Sequence, residues 1–163
     1  MDHLFFLKVE NDICSAKVTK IDHPYHQMYH VLFEDGYENI FFTDVETGNW
    51  REEDLGETPL ATSFGMKLYL LNGTSGVARK TLSWCRASLA DEIISFGFHA
   101  SNADDGDGTV FEVYGSNHKF LYTFRNNGRR WKVYGPRYFI QRNLYTDQIK
   151  IIISIFKGLA DYI

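Results

Sequence analysis

The chain has 163 residues, 44% of them hydrophobic and 16% aromatic, with 17 Lys/Arg against 21 Asp/Glu for a formal net charge of −4. A chain of this length buries about 70% of its unfolded surface, so its core needs neither a disulfide nor a structural metal; the two cysteines, Cys14 and Cys85, lie far apart with no ligand spacing and read as free thiols of a reducing, cytoplasmic compartment. No nucleophile elbow, P-loop, dinucleotide fingerprint or HExxH occurs, which excludes the enzyme classes those motifs mark, and the richest apolar stretch, residues 149–156, is interrupted by Lys150 and cannot span a bilayer.

The near-neutral total hides opposed halves. Residues 1–75 hold 5 Lys/Arg and 13 Asp/Glu, whereas residues 76–163 hold 12 and 8. The extreme is the stretch from Val113 to Thr146, which contains no acidic residue but seven basic and nine aromatic ones. Such an imbalance concerns partners rather than fold. Either the basic half docks on an external polyanion, or the acidic half neutralises it within the same molecule.

In chain order, the apolar run Leu4–Leu7 follows Asp2 and is too short for the core of a signal peptide. From Ile13 onward the sequence reads as strands. Asp35-Gly36 sits between two β-forming runs, a hairpin signal, and Gly48 marks a further turn before Trp50. A single helical turn, EEDL, closes the segment. In HPYHQMYH, a strand would place His26, Met28 and His30 on one face, with His23 nearby. That spacing is not the spacing of a closed zinc site, so these are read as surface or loop histidines and no metal is assigned.

The order YHVLFEDG, hydrophobic strand, turn, aromatic residue, EEDL resembles the Tudor or SH3-like small-barrel group, over residues 13–56, about a quarter of the chain. The resemblance implies a small, strongly bent barrel. It also implies that an aromatic cage for a methylated Lys or Arg would be supplied by Tyr25, Tyr29, Tyr37, Phe42 and Trp50. The competing reading is that these rings fill the barrel, and the adjacent Phe41 and Phe42 leave little room for an open pocket.

Thr58-Pro59 opens a short helix expected to run to about Gly65, with a strand after it. The NGTSG segment at residues 72–76 is the linker candidate and divides an acidic small-barrel domain, residues 1–72, from a basic domain, residues 77–163. Residues 81–89 and 92–100 read as strands, the second by alternation of Ile94, Phe96 and Phe98. The following SNADDGDG lacks the downstream glutamate of a calcium loop and reads as a turn.

Three further strands follow, at residues 109–114, 119–125 and 129–134. A two-residue Asn127-Gly128 turn pairs Phe124 with Trp131 and Tyr122 with Val133. One face then collects Phe111, Val113, Phe120, Tyr122, Phe124, Trp131 and Val133. The other collects Glu112, Tyr114, Lys119, Thr123, Arg125, Arg130, Lys132 and Tyr134, with Arg125 directly opposite Arg130. Cations and tyrosines spread over a sheet face suit single-stranded nucleic acid, phosphates on Lys/Arg and bases on rings. Lys119, Arg125, Arg130, Lys132, Tyr114 and Tyr134 are therefore the candidate binding residues; a merely solvated face is the alternative.

Residues 146–163 carry a polar stripe of Asp147, Lys150, Ser154, Lys157 and Asp161 at helical spacing, capped by Thr146 or Asp147. Their wide apolar surface, including Ile152, Ile153, Phe156 and Leu159, would cover the sheet with a surplus that suits either a homodimer or a monomer whose helix is tucked between domains. His99, His118, Asp91 and Glu92 can be assembled into an acid/base pair on paper, and nothing in the sequence brings them together. The expectation is an α+β, β-rich protein, a Tudor-like small barrel followed by an antiparallel meander packed by a C-terminal helix. Its expected role is that of a non-enzymatic binding or adaptor protein without cofactor or membrane partner, engaging nucleic acid or, alternatively, another protein through the barrel edge or the helix.

Overall fold

A computed structural model describes residues 2–21, 27–73, 78–89, 91–128, 130–134 and 152–158. The chain divides into two compact units: Met1–Thr81 together with Asn117–Lys119, and Leu82–Ser116 together with Phe120–Ile163. Each is built on a five-stranded antiparallel sheet. Among the described residues, no helix is long and apolar enough to cross a membrane.

In the first unit, β1 (Asp2–Val9), β2 (Asp12–Ile21), β3 (Met28–Phe33), β4 (Glu38–Thr43) and β5 (Trp50–Glu52) form a meander in sequence order, curled into a half-barrel. This half-barrel extends beyond residues 13–56, over which the sequence leads one to expect a small barrel. It begins at Asp2, because Phe5 and Leu7 of β1 alternate into the core while Leu4 and Phe6 point outward. The Asp35-Gly36 hairpin forms as read: Phe33 N–H donates to Tyr37 O at 2.8 Å, Gly36 adopts φ 88°, and Asp35 Oδ1 accepts from Tyr37 N–H at 2.9 Å.

One helix, α1 (Pro59–Asn72), packs against β1 and β5. Thr58 caps it, its hydroxyl accepting from Ala61 N–H at 3.0 Å, and Pro59 occupies the first turn. Gly73 ends it with φ 80°. The expected break at Gly65 and following strand do not occur. Ala61, Phe64, Gly65 and Leu68 share one helical face and bury it against Phe5, Tyr29, Phe41 and Trp50, and this burial overrides the β-like composition of residues 66–71. Gly65 serves close approach here: a Cβ at that position would lie 1.9 Å from Trp50 Cδ1.

A buried carboxylate joins helix to sheet. Glu52 is 1% exposed and accepts from the hydroxyls of Tyr37 and Thr58 and, at 3.4 Å, from Asn39 Nδ2. Asn39 Nδ2 also donates to the Tyr37 hydroxyl oxygen at 2.8 Å. These donors are neutral, so they satisfy the carboxylate without a buried cation. On the opposite face of the sheet, Ile21, Met28, Ile40 and Phe42 form a second apolar cluster.

In the second unit, β6 (Ser83–Leu89), β7 (Glu92–Asn102), β8 (Thr109–Gly115), β9 (Phe120–Asn126) and β10 (Trp131–Tyr134) form a second meander, ordered β10-β9-β8-β7-β6. The expected apolar face holds for Phe111, Val113, Tyr122, Phe124, Trp131 and Val133, joined by Phe96 and Phe98. A helix over residues 152–158, α2, lies on it through Ile152 and Phe156. Phe156 stacks on Phe111 at 4.3 Å and 16° and meets Phe98 and Phe124 edge-on. Ser154 and Lys157, from the polar stripe, are exposed, while the proposed cap at Thr146 or Asp147 lies outside the described residues.

Two details of this sheet differ from the sequence reading. The β9–β10 pairing is displaced by two residues: Trp131 pairs with Asn126 and Val133 with Phe124. The turn between the strands is closed by Asn127 Oδ1 accepting from Arg130 N–H at 3.0 Å and by Asn126 Oδ1 accepting from Gly128 N–H at 2.8 Å. Because the displacement is even, every side chain keeps its face. Between β8 and β9 a bulge at Val113/Tyr114 changes the register by one, so Phe120 pairs with Tyr114 and leaves the apolar face. The SNADDGDG segment is the expected turn, with Gly106 at φ 73° and Ala103 N–H donating to Gly108 O at 3.0 Å.

Candidate polyanion-binding strip

The six candidate binding residues separate into an internal pair and an exposed strip. Tyr114 is fully buried. Its ring meets Phe120 edge-on at 5.7 Å and 82°, and its hydroxyl donates to Glu112 Oε2 at 2.8 Å. Burial first, then the neighbouring Glu112 charge, raises its pKa well above the usual tyrosine value. The bulge puts it there, by setting Tyr114 and Phe120 side by side on the face that sequence alternation reads as polar.

Lys119 is likewise internal, 4% exposed and ion-paired with Glu53. The turn carrying it belongs to the first unit. Asn117 Nδ2 donates to Glu53 O at 3.0 Å, and His118 Nδ1 lies 3.1 Å from Asp44 Oδ2 and 3.4 Å from Glu46 Oε2. Asp44 is itself buried, its other oxygen accepting from Glu46 N–H at 2.8 Å, with Arg51 Nη1 at 3.2 Å from Oδ2. At Lys119 an acidic residue of the N-terminal half, Glu53, is thus the partner of a basic residue of the C-terminal half.

The exposed strip lies on β9, β10 and their turn. Arg125 pairs in register with Lys132 and Thr123 with Tyr134, so Arg125, Lys132 and Tyr134 share the outer face. Arg130, placed by the sequence opposite Arg125, instead stands in the turn and is exposed. Tyr134 is 53% exposed. Arg125 is engaged by the turn after β7, donating to the Asp105 carboxylate and, at 3.1 Å, to Asp107 O. That hydrogen bond holds the Asp105 carboxyl below the ordinary carboxylate range and raises Arg125.

Among the described residues, the cage candidates do not gather around one open space. Tyr29 and Trp50 lie in the core against Phe64, at 5.5 and 5.3 Å, so that the α1 phenyl ring occupies the space a cation would take. Tyr37 packs on Phe33 and donates to Glu52, and Phe42 points to the other face of the sheet among Ile21, Met28 and Ile40. Tyr25 lies outside the described residues, as do His23 and His26. His30 Nε2 sits 3.1 Å from Glu38 Oε2. Among the described residues, no group of three His, Cys, Asp or Glu side chains is placed to hold a metal ion. Of the paper acid/base set, His118 meets Asp44 and Glu46 rather than Asp91 or Glu92, and His99 pairs in register with Glu112.

Sequence reasoning missed Asp105 as a partner of Arg125 and Glu53 as a partner of Lys119. The first was accessible in principle, since an acidic turn between two strands of one meander must lie near the neighbouring hairpin. The second joins residues 66 positions apart and has no local signal. Comparisons with family models, curated proteins and solved structures give no match to this chain.

Proposed function

We propose that the chain is a non-enzymatic binding protein, an SH3/Tudor-like half-barrel joined to a sheet that engages a polyanion along β9 and β10, with single-stranded nucleic acid the best-fitting ligand. One observation carries the reading: Arg125 and Lys132 stand directly opposite each other on the outer face, beside the exposed Tyr134 ring. Like charges in that position are destabilising unless an anion stands between them. The Asp105 carboxylate on Arg125 does this from within the chain, and a phosphate can take the same hydrogen-bonding position. Lys132 and Arg130 would track the backbone, while Tyr134 offers one stacking platform. The free thiols Cys14 and Cys85 fit action in a reducing, cytoplasmic compartment.

The test is fluorescence anisotropy with labelled single and double strands over a salt series. Binding should weaken linearly in log–log form with salt, with a shallower slope for Arg125→Ala with Lys132→Ala, and tighten for Asp105→Asn, which removes the internal competitor. Absence of binding at low salt, or a slope unchanged by the double substitution, refutes the proposal.

A further inference from the structure

Among the described residues, strand β1 is an outer edge of the first sheet, paired with β2 alone. It is eight residues long, and the middle of its outward face is apolar: Leu4 is 65% exposed and Phe6 57%, with Ile13 of β2 and Leu32 of β3 exposed on the same face. Edge strands of monomeric proteins are usually blunted by charge, proline or a bulge, because free backbone groups beside apolar side chains recruit another strand. In β1 the two acidic or basic residues, Asp2 and Lys8, stand at the ends of the strand sequence, and no charge falls between Leu4 and Phe6.

We infer that β1 pairs antiparallel with β1 of a second copy of this chain, about a two-fold axis through Phe5, making one continuous ten-stranded sheet. This inference is independent of the polyanion reading, since it uses none of the same residues.

The second copy is chosen over an unrelated strand because the even-numbered positions of β1 are complementary to their own reverse in one register. With the axis at Phe5, Leu4 stands opposite the partner copy's Phe6 and Asp2 opposite its Lys8, and symmetry repeats both pairs. Opposite charges and apolar pairs directly across a ladder are the favourable combinations. Moving the axis to Leu4 sets Asp2 against Phe6, and moving it to Phe6 sets Leu4 against Lys8. An axis between two residues turns the two sheets over, opposing exposed Leu4 to buried Leu7. The two-fold about Phe5 therefore keeps both cores on one side and both exposed apolar patches on the other, the self-complementarity an isologous interface requires.

Sedimentation equilibrium of the full chain across a concentration series tests this directly. The expected result is a reversible dimer whose dissociation constant rises roughly tenfold or more in Leu4→Lys or Phe6→Glu, each of which loses an apolar pair twice. Combining Leu4→Lys with Phe6→Glu in one chain should restore the dimer, because in this register the new charges face each other. Both positions are exposed, so far-UV circular dichroism of the variants should match the parent. A parent that stays monomeric at millimolar concentration, a dimer unaffected by the single substitutions, or a double variant no better than the singles overturns the assignment.

Discussion

Replacing Gly65 by Ala sets two physical effects against each other. In a helix interior, Ala is favoured over Gly by about 1 kcal/mol, so propensity alone makes Gly65→Ala stabilising. The new Cβ, however, would lie 1.9 Å from Trp50 Cδ1, 2.3 Å from Nε1 and 2.6 Å from Cγ. No rotation of a methyl group relieves such an overlap, so the indole must swing away or α1 must retreat from β5 by more than an ångström. Trp50 is buried and packed edge-on against Phe64 and beside Tyr29. Overpacking costs about 1–3 kcal/mol, and disturbed ring contacts add about 1 kcal/mol, so the net is a loss of about 1–3 kcal/mol after the propensity gain. Urea denaturation followed by circular dichroism reads this as a lower midpoint at unchanged slope. In a Trp50→Leu background the obstruction is gone, and Gly65→Ala should turn neutral or stabilising. A midpoint raised by Gly65→Ala in the parent chain would refute the close-approach argument.

Thr58→Ala should cost about 1–2 kcal/mol in the same assay, since it removes both the helix cap and a donor to Glu52, whereas Thr58→Ser should retain most of the stability. Lys119→Met leaves Glu53 without its buried partner and should destabilise by about 1–3 kcal/mol; adding Glu53→Gln should recover part of that loss in a double-mutant cycle. Tyr29, Tyr37 and Tyr114 have pKa values raised chiefly by burial. A phenol whose folded pKa exceeds its unfolded value of about 10 contributes its full stability below that pH and loses it as pH climbs towards the folded value. Absorbance at a tyrosinate wavelength should therefore show the Tyr114 proton released together with alkaline unfolding rather than before it, and ionisation of Tyr114 in the intact fold would contradict its burial.

Much of the second sheet was legible because alternation is an unambiguous signal where it is clean. Phe111, Val113, Tyr122, Phe124, Trp131 and Val133 reach the apolar face even though the β9–β10 turn is longer than its Asn-Gly pair implies, since a displacement by two conserves sidedness. Phe120 did not, because periodicity cannot mark where a bulge inserts its extra residue. Strand β1 was obscure for the converse reason: Leu4 to Leu7 are all apolar, so the inside–outside contrast that identifies a strand is absent. Helix α1 was cut short because residues 66–71 favour strand locally, and only contact with rings far away in sequence decides otherwise. The candidate site fared similarly. Arg125, Lys132 and Tyr134 lie on the outer face as read, whereas the burial of Tyr114 depends on the bulge and that of Lys119 on a carboxylate 66 residues distant.

The Thr58 hydroxyl does two things at once: it accepts a hydrogen bond from the Ala61 amide in the first turn of α1 and donates one to Glu52, which also holds Tyr37 and Asn39. The start of the helix and the last strand of the half-barrel are therefore fastened by a common knot. Neither can fray alone, because loosening the helix strands an unsolvated carboxylate and withdrawing the strand uncaps the helix. Cooperative opening of that corner as one block, rather than end-first melting of α1, is what native-state hydrogen exchange would be expected to register there.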